Sequence, residues 1–161
     1  FIFLVPVLFN SGISKTGMIV TLMTFASVMG LSISALLAAY TAISVMQAFM
    51  GAAVLFLSMT LYGYTTKKSL ESWGSFLLIG LISIIVVSLI NLFIGSSVLA
   101  TVTSAAAVLI FLGLTAYDTQ TIKQQLAYSD NPAVEVYGAL SLYLNFINLF
   151  INLLQIFGDR K

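Results

Sequence analysis

The residues of this chain that could do chemistry are few, and they gather in its last third. Tyr117-Asp118-Thr119-Gln120 places one acid at the end of a long apolar run, and a later apolar segment carries Ser141, Asn145, Asn148, Asn152 and Gln155. These five step by four, three, four and three residues, so on a helix they project from one side. Leu142, Leu144, Phe146, Ile147, Leu149, Phe150 and Ile151 cover the rest of the circumference. Such a helix needs protein or water along its polar side and cannot lie wholly exposed to lipid. Asp118 has two readings: an exposed residue that opens a loop at a helix end, or a side chain drawn into the bundle beside the amide row. A carboxylate at membrane depth costs roughly 2.5–3.5 kcal/mol on insertion scales, so one that persists there faces a cavity or a pathway. The amide row also has two readings. Single amides tie membrane helices together at about 0.6 kcal/mol each, whereas five polar groups in register favour the lining of a hydrated seam. Asp118, Asn145, Asn148 and Asn152 are the candidate pathway residues.

Other chemistries find no footing. The 161 residues include no cysteine and no histidine, which removes disulfides, thiolate and imidazole metal sites, and imidazole catalysis. There is no Gly-x-Ser-x-Gly elbow and no phosphate-binding loop to power transport. The expectation is a protein that is not an enzyme and carries no cofactor. A net charge of +1 offers no basic patch, so nucleic acid is not an expected partner.

The elements that must position these residues follow from composition. The chain is 60% hydrophobic and 7% charged, against about 25% charged in a soluble domain, and its mean hydropathy is +1.12. Uncharged runs cover 16 to 66 and 72 to 117. A spanning helix needs about 20 apolar residues, so each run must hold two helices and a tight turn. The reading is one all-α, polytopic transmembrane bundle over 1–161, with spans at about 17–38, 42–62, 73–93, 98–117 and 134–157. Residues 1–9 read as the tail of a truncated helix, and 10–16 as a loop. Ala48, Gly51 and Ala52 are small enough to let helix backbones approach closely in lipid. Ser69 is a good N-cap, with Glu71 in the first turn. Residues 119–135 form the longest polar connection. It starts as a helical extension, Thr121 to Tyr128, and ends at Asp130-Asn131-Pro132, which caps a new helix with proline in its first turn.

Connections alternate between charged (Lys15, then Lys67 and Lys68, then Lys123) and short and uncharged (around Tyr40, then Gly95 to Ser97). The positive-inside rule makes the charged set cytoplasmic. Tyr40, Tyr62, Tyr64, Trp73, Tyr117, Tyr128 and Tyr137 fall near span ends, as an interfacial aromatic belt would place them. The last segment, about 22 residues or roughly 33 Å, is long enough to cross. Arg160 and Lys161 beyond it would suit a re-entrant path, and crossing is the reading preferred.

Leu61-Tyr62-Gly63-Tyr64-Thr65-Thr66-Lys67-Lys68, Gly113-Leu114-Thr115-Ala116-Tyr117-Asp118-Thr119-Gln120 and the stretch from Gly138 to Phe150 resemble the signature stretches of the Bax-inhibitor family, bacterial members most of all. The similarity extends over essentially the whole chain. It implies a seven-helix fold with the last helix near the centre, and hence a first helix and much of a second that precede this sequence. It also implies a bacterial inner-membrane protein that lets calcium leak passively across the bilayer in a pH-sensitive way. Some bacterial members instead bind and restrain a membrane-anchored AAA protease, the alternative function and partner. The family's leak is linked to two aspartates. One matches Asp118, and the other falls on Asn145. Two neighbouring carboxylates share protons and titrate together, which an Asp–Asn pair cannot do, although Asn145 can still donate a hydrogen bond to ionised Asp118. The pH response is therefore expected to be blunted or displaced. Tight calcium sites use 6–8 oxygens, several from carboxylates, so one aspartate and a few amides make a weak, transient stop suited to a slow leak.

Overall fold

The computed structural model describes residues 14–161, so the readings placed on residues 1–13 lie outside the described residues. Five helices follow one another: α1 (Lys15–Leu37), α2 (Ala42–Thr65), α3 (Trp73–Ile94), α4 (Ser97–Tyr128) and α5 (Pro132–Phe157). Each is long and apolar enough to cross a membrane, and the chain is an all-α polytopic bundle. In lipid the backbone must satisfy its own polar groups, which is why apolar sequence of this length is helical. Hydroxyls in the spans follow the same rule: Thr24, Ser27, Ser58 and Ser83 each donate to the carbonyl four residues back, at 2.7–2.8 Å.

The turns have identifiable causes. Gly95 takes the left-handed conformation (φ 69°) that ends α3. Asn91 then clamps Ser96 from both sides, its amide donating to the Ser96 carbonyl and its oxygen accepting from the Ser96 N–H, each at 3.1 Å. Ser96 caps α4 through the Leu99 N–H, and Asn131 caps α5 through the Ala133 N–H at 3.0 Å, with Pro132 following.

Two expectations need correction. Ser69 is not the cap of α3: that helix opens at Trp73, and the Ser69 hydroxyl accepts from the Glu71 N–H at 3.3 Å in a local turn. Buried Leu70 is anchored elsewhere by its backbone, which delays the helix. Beyond Tyr117, where the fourth span ends, the expected helical extension to Tyr128 is present. Helix α4 runs unbroken for another eleven residues, to Tyr128, because Gln, Lys, Leu and Ala keep a helix going after hydropathy falls. Tyr40 does not belong to an outward aromatic belt; it is 2% exposed, covered by the end of the chain.

Directions are fixed by contacts at both ends. Lys15 pairs with Glu135 at 2.6 Å, and the Lys161 N–H donates to the Ala39 carbonyl at 3.0 Å, so α1 and α5 run the same way. Helices α2 and α4 run opposite to them. One end of the bundle thus collects Lys15, Lys67, Lys68, Glu71, Lys123, Asp130 and Glu135, and the other holds only Asp159, Arg160 and Lys161. Helix α5 reaches from the first end to the second and packs on α1, α2 and α4, whereas α3 leans on α4. Its contact with α2 is built from rings: Phe146 meets Phe49 and Phe56 edge-on at 5.5 and 5.6 Å, and Phe150 meets Phe49 at 6.0 Å.

Glycine sets the tightest approach. A Cβ on Gly63 of α2 would collide with the backbone carbonyl of Ala116 in α4. Gly30, on the exposed side of α1, has nothing within 4 Å of such an atom. Gly63→Ala should therefore force α2 from α4 and lower stability by about 1–3 kcal/mol, while Gly30→Ala should be neutral or stabilise by up to about 1 kcal/mol. Thermal unfolding of both variants in one detergent checks the pair, and equal melting would show that the approach is not tight.

Candidate functional site

Asp118 sits inside α4, three turns from its end, and faces α5. Its Oδ2 accepts from the Ser141 hydroxyl at 2.6 Å and from the Asn145 amide at 2.8 Å. Asn145 is 5% exposed and Asp118 is partly buried. Of the two readings of Asp118, the structure has the carboxylate drawn into the bundle. Both bonds land on one oxygen, and Asp118 lines the space beyond.

That space is an elongated cavity between α3 and α5, floored by α4. Asp118, Ser141, Asn145, Asn148, Asn152 and Gln155 line it from one side, and Leu81, Ile85 and Leu89 of α3 from the other. At 100° per residue the five polar residues of α5 fall within an arc of about 80°, and the row extends for about 21 Å. Asn148 and Asn152 do not reach Asp118. Their amide nitrogens donate to the carbonyls of Leu144 and Asn148, each at 2.8 Å, which leaves their side-chain oxygens for the cavity. Gln155, at the far end of the row, accepts from the Ser104 hydroxyl of α4 at 2.8 Å.

Helices α4 and α5 are thus tied at two points, Asp118 to Ser141 and Ser104 to Gln155. The partners are fourteen residues apart on each helix, close to four full turns. Ser104 was not among the residues singled out from the sequence, yet that matched interval on two antiparallel helices is a signal that could have found it.

Gln120 was missed for a different reason, since its targets are backbone atoms distant in sequence. Its oxygen accepts from the Leu70 N–H at 2.8 Å, and its nitrogen donates to the Lys68 carbonyl at 2.9 Å. Nearby, Lys123 donates to the Tyr64 carbonyl at 2.7 Å and lies over the Tyr64 ring at 4.4 Å. The loop between α2 and α3 is therefore held to α4 by the same motif that presents Asp118. Chemically, the site offers one carboxylate, two side-chain donors fixed on it, and neutral oxygens along a row. Among the described residues no three acidic side chains converge.

Comparison with known proteins bears on the whole chain. The family model described as "Inhibitor of apoptosis-promoting Bax1" matches residues 1–161. The inner membrane protein YbhL of Escherichia coli K12 is 42% identical over 145 residues, covering 86% of this chain and 62% of YbhL. A protein of Rickettsia prowazekii, RP147, is 41% identical over 141 residues, 85% of this chain and 60% of its own. One from Caulobacter vibrioides is 43% identical over 143 residues, 86% and 57% respectively. The chain thus spans roughly three-fifths of the length of these relatives.

Replacing Gln120 by Ala would strand the Leu70 N–H in a buried position, a loss of about 1–3 kcal/mol. The loop around Lys67 and Lys68 should then be cut by trypsin several-fold faster than in the parent. Limited proteolysis in detergent measures this, and unchanged cleavage there would show that the clamp does not hold the loop.

Proposed function

The chain belongs to the Bax inhibitor family, and we propose that it forms a passive, pH-influenced cation (calcium) leak along the polar row of α5. The observation that carries the proposal is the hydrogen-bonded seat of Asp118 at the head of that row. A cation entering from the charge-rich end would meet the Asp118 carboxylate first, then Asn148 and Asn152. One carboxylate with neutral oxygens falls short of the 6–8 ligands, several of them carboxylate, of a tight calcium site. Weak binding is what conduction needs, because the ion must also leave. The row's length of about 21 Å covers most of a hydrocarbon core about 30 Å thick.

The bonds from Ser141 and Asn145 act in this proposal as a latch between α4 and α5. Bonds to an ionised acceptor are roughly twice as strong as neutral ones, so protonating Asp118 would both loosen the latch and remove the charge that attracts the ion. A single carboxylate responds to one proton. The positive-inside rule would place the Lys15, Lys67, Lys68 and Lys123 end in the cytoplasm, and the likeness to the inner membrane protein YbhL supports the inner membrane as its location.

Calcium entry into proteoliposomes tests the leak. Asp118→Ala should change calcium flux by about tenfold or more, an effect of about 1.4 kcal/mol at the ion's main stop, and flux equal to the parent's would remove Asp118 from the mechanism. A parent protein that passes no calcium at any pH would leave the row as packing, as a membrane partner of an AAA protease would require. Asn145→Asp should turn a one-proton pH–flux profile into a steeper or displaced one, since two adjacent carboxylates titrate together. An unchanged profile would count against the pair as the sensor.

A further inference from the structure

A second crevice lies at the opposite end of the molecule from the Lys67 loop, between α1, α2 and α5. Its walls are apolar, with Leu37, Val45, Met46, Phe49 and Phe150 among them, and Lys161 stands at its rim. From Ala42 to Phe49 it extends about 10 Å along α2, a depth that accepts the upper part of an acyl chain.

The rim is built by the end of the chain. The Thr41 N–H donates to the Asp159 carbonyl and the Lys161 N–H to the Ala39 carbonyl, both at 3.0 Å, and Arg160 pairs with Tyr40 as an antiparallel bridge. The Asp159 N–H donates to the Ser44 hydroxyl at 2.9 Å. The Arg160 guanidinium lies 5.7 Å from the centre of the Tyr40 ring. Backbone pairing therefore holds two cations at a fixed place on an end of the bundle whose turns otherwise carry no charge. Asp159 is the acid beside them. Helix α2 begins on the same rim, at Ala42, so the positive end of its dipole adds to the field.

We propose that this crevice is a binding site for an anionic phospholipid of the adjoining leaflet, with its acyl chain between Met46 and Phe150 and its phosphate at Lys161, Arg160 and the start of α2. An apolar slot alone takes any lipid; the two pinned cations are what select an anionic headgroup. Each lysine or arginine near an anionic surface contributes about 1 kcal/mol, or roughly a five-fold preference.

The test places a tryptophan at the crevice. In a Trp73→Phe background, Met46→Trp gives a single reporter on the wall, because Trp73 is the one tryptophan among these 161 residues. Quenching by phosphatidylglycerol with brominated chains is compared with quenching by the matched phosphatidylcholine in phosphatidylcholine vesicles. Phosphatidylglycerol should be favoured by more than about ten-fold, since two such contributions multiply. Lys161→Gln, which leaves the Tyr40–Arg160 pairing in place, should lower that preference by roughly five-fold, and the Arg160→Gln, Lys161→Gln double variant should abolish it. Added salt should weaken it in the parent. Equal quenching by the two lipids, or a preference untouched by Lys161→Gln or by salt, would overturn the proposal.

Discussion

A carboxylate set among apolar helices has to find donors, and Asp118 finds both on one neighbour. Ser141 and Asn145 lie one turn apart on α5, so a single face meets a single oxygen of α4. That arrangement fixes the rotation of both helices about their axes. Turning either by one residue, about 100°, would leave the carboxylate without donors in a place where it is costly. The second tie, from Ser104 to Gln155, holds the same register about 21 Å away. Two bonded points on a rigid pair define orientation as well as contact, and the remaining elements arrange themselves around that pair.

Close backbone approach makes the pair possible. Gly138 of α5 lies against Ile122 of α4, where a Cβ would come to 2.9 Å of its methyl. Gly63 does the same for α2 against Ala116, two residues before Asp118. Without a water-exclusion force between helices in lipid, this packing carries much of the association. The three stretches that mark the family meet at one end of the bundle: Gly63 and Tyr64 of α2, Ala116 to Gln120 of α4, and Gly138 to Asn145 of α5.

Much of this was legible in the sequence. Hydropathy marks five helices because the bilayer demands apolar length, and the three-four spacing of Ser141 to Gln155 declares a single polar side. Gly95 and Asn131-Pro132 announce their turns through backbone conformation, which is local. The illegible parts are those where a distant partner decides. Ser69 looks like a cap until Gln120 takes the neighbouring Leu70 N–H. Tyr40 looks like a belt residue until Arg160 folds over it. The end of α4 at Tyr128, by contrast, is legible once two signals are kept apart: hydropathy reports where lipid stops, while helix propensity decides where the helix stops.

That last difference has a consequence of its own. Helix α4 has 32 residues and is about 48 Å long, well beyond the roughly 30 Å of a hydrocarbon core. Its final turns, with Lys123 to Tyr128 exposed, stand clear of the greasy layer but are rigidly continuous with the segment that bears Asp118. The helix is a tiller. A hand on the outer turns would steer a carboxylate some three turns away without touching it, and Lys123, gripping the Tyr64 carbonyl, is the cleat that keeps the tiller from swinging.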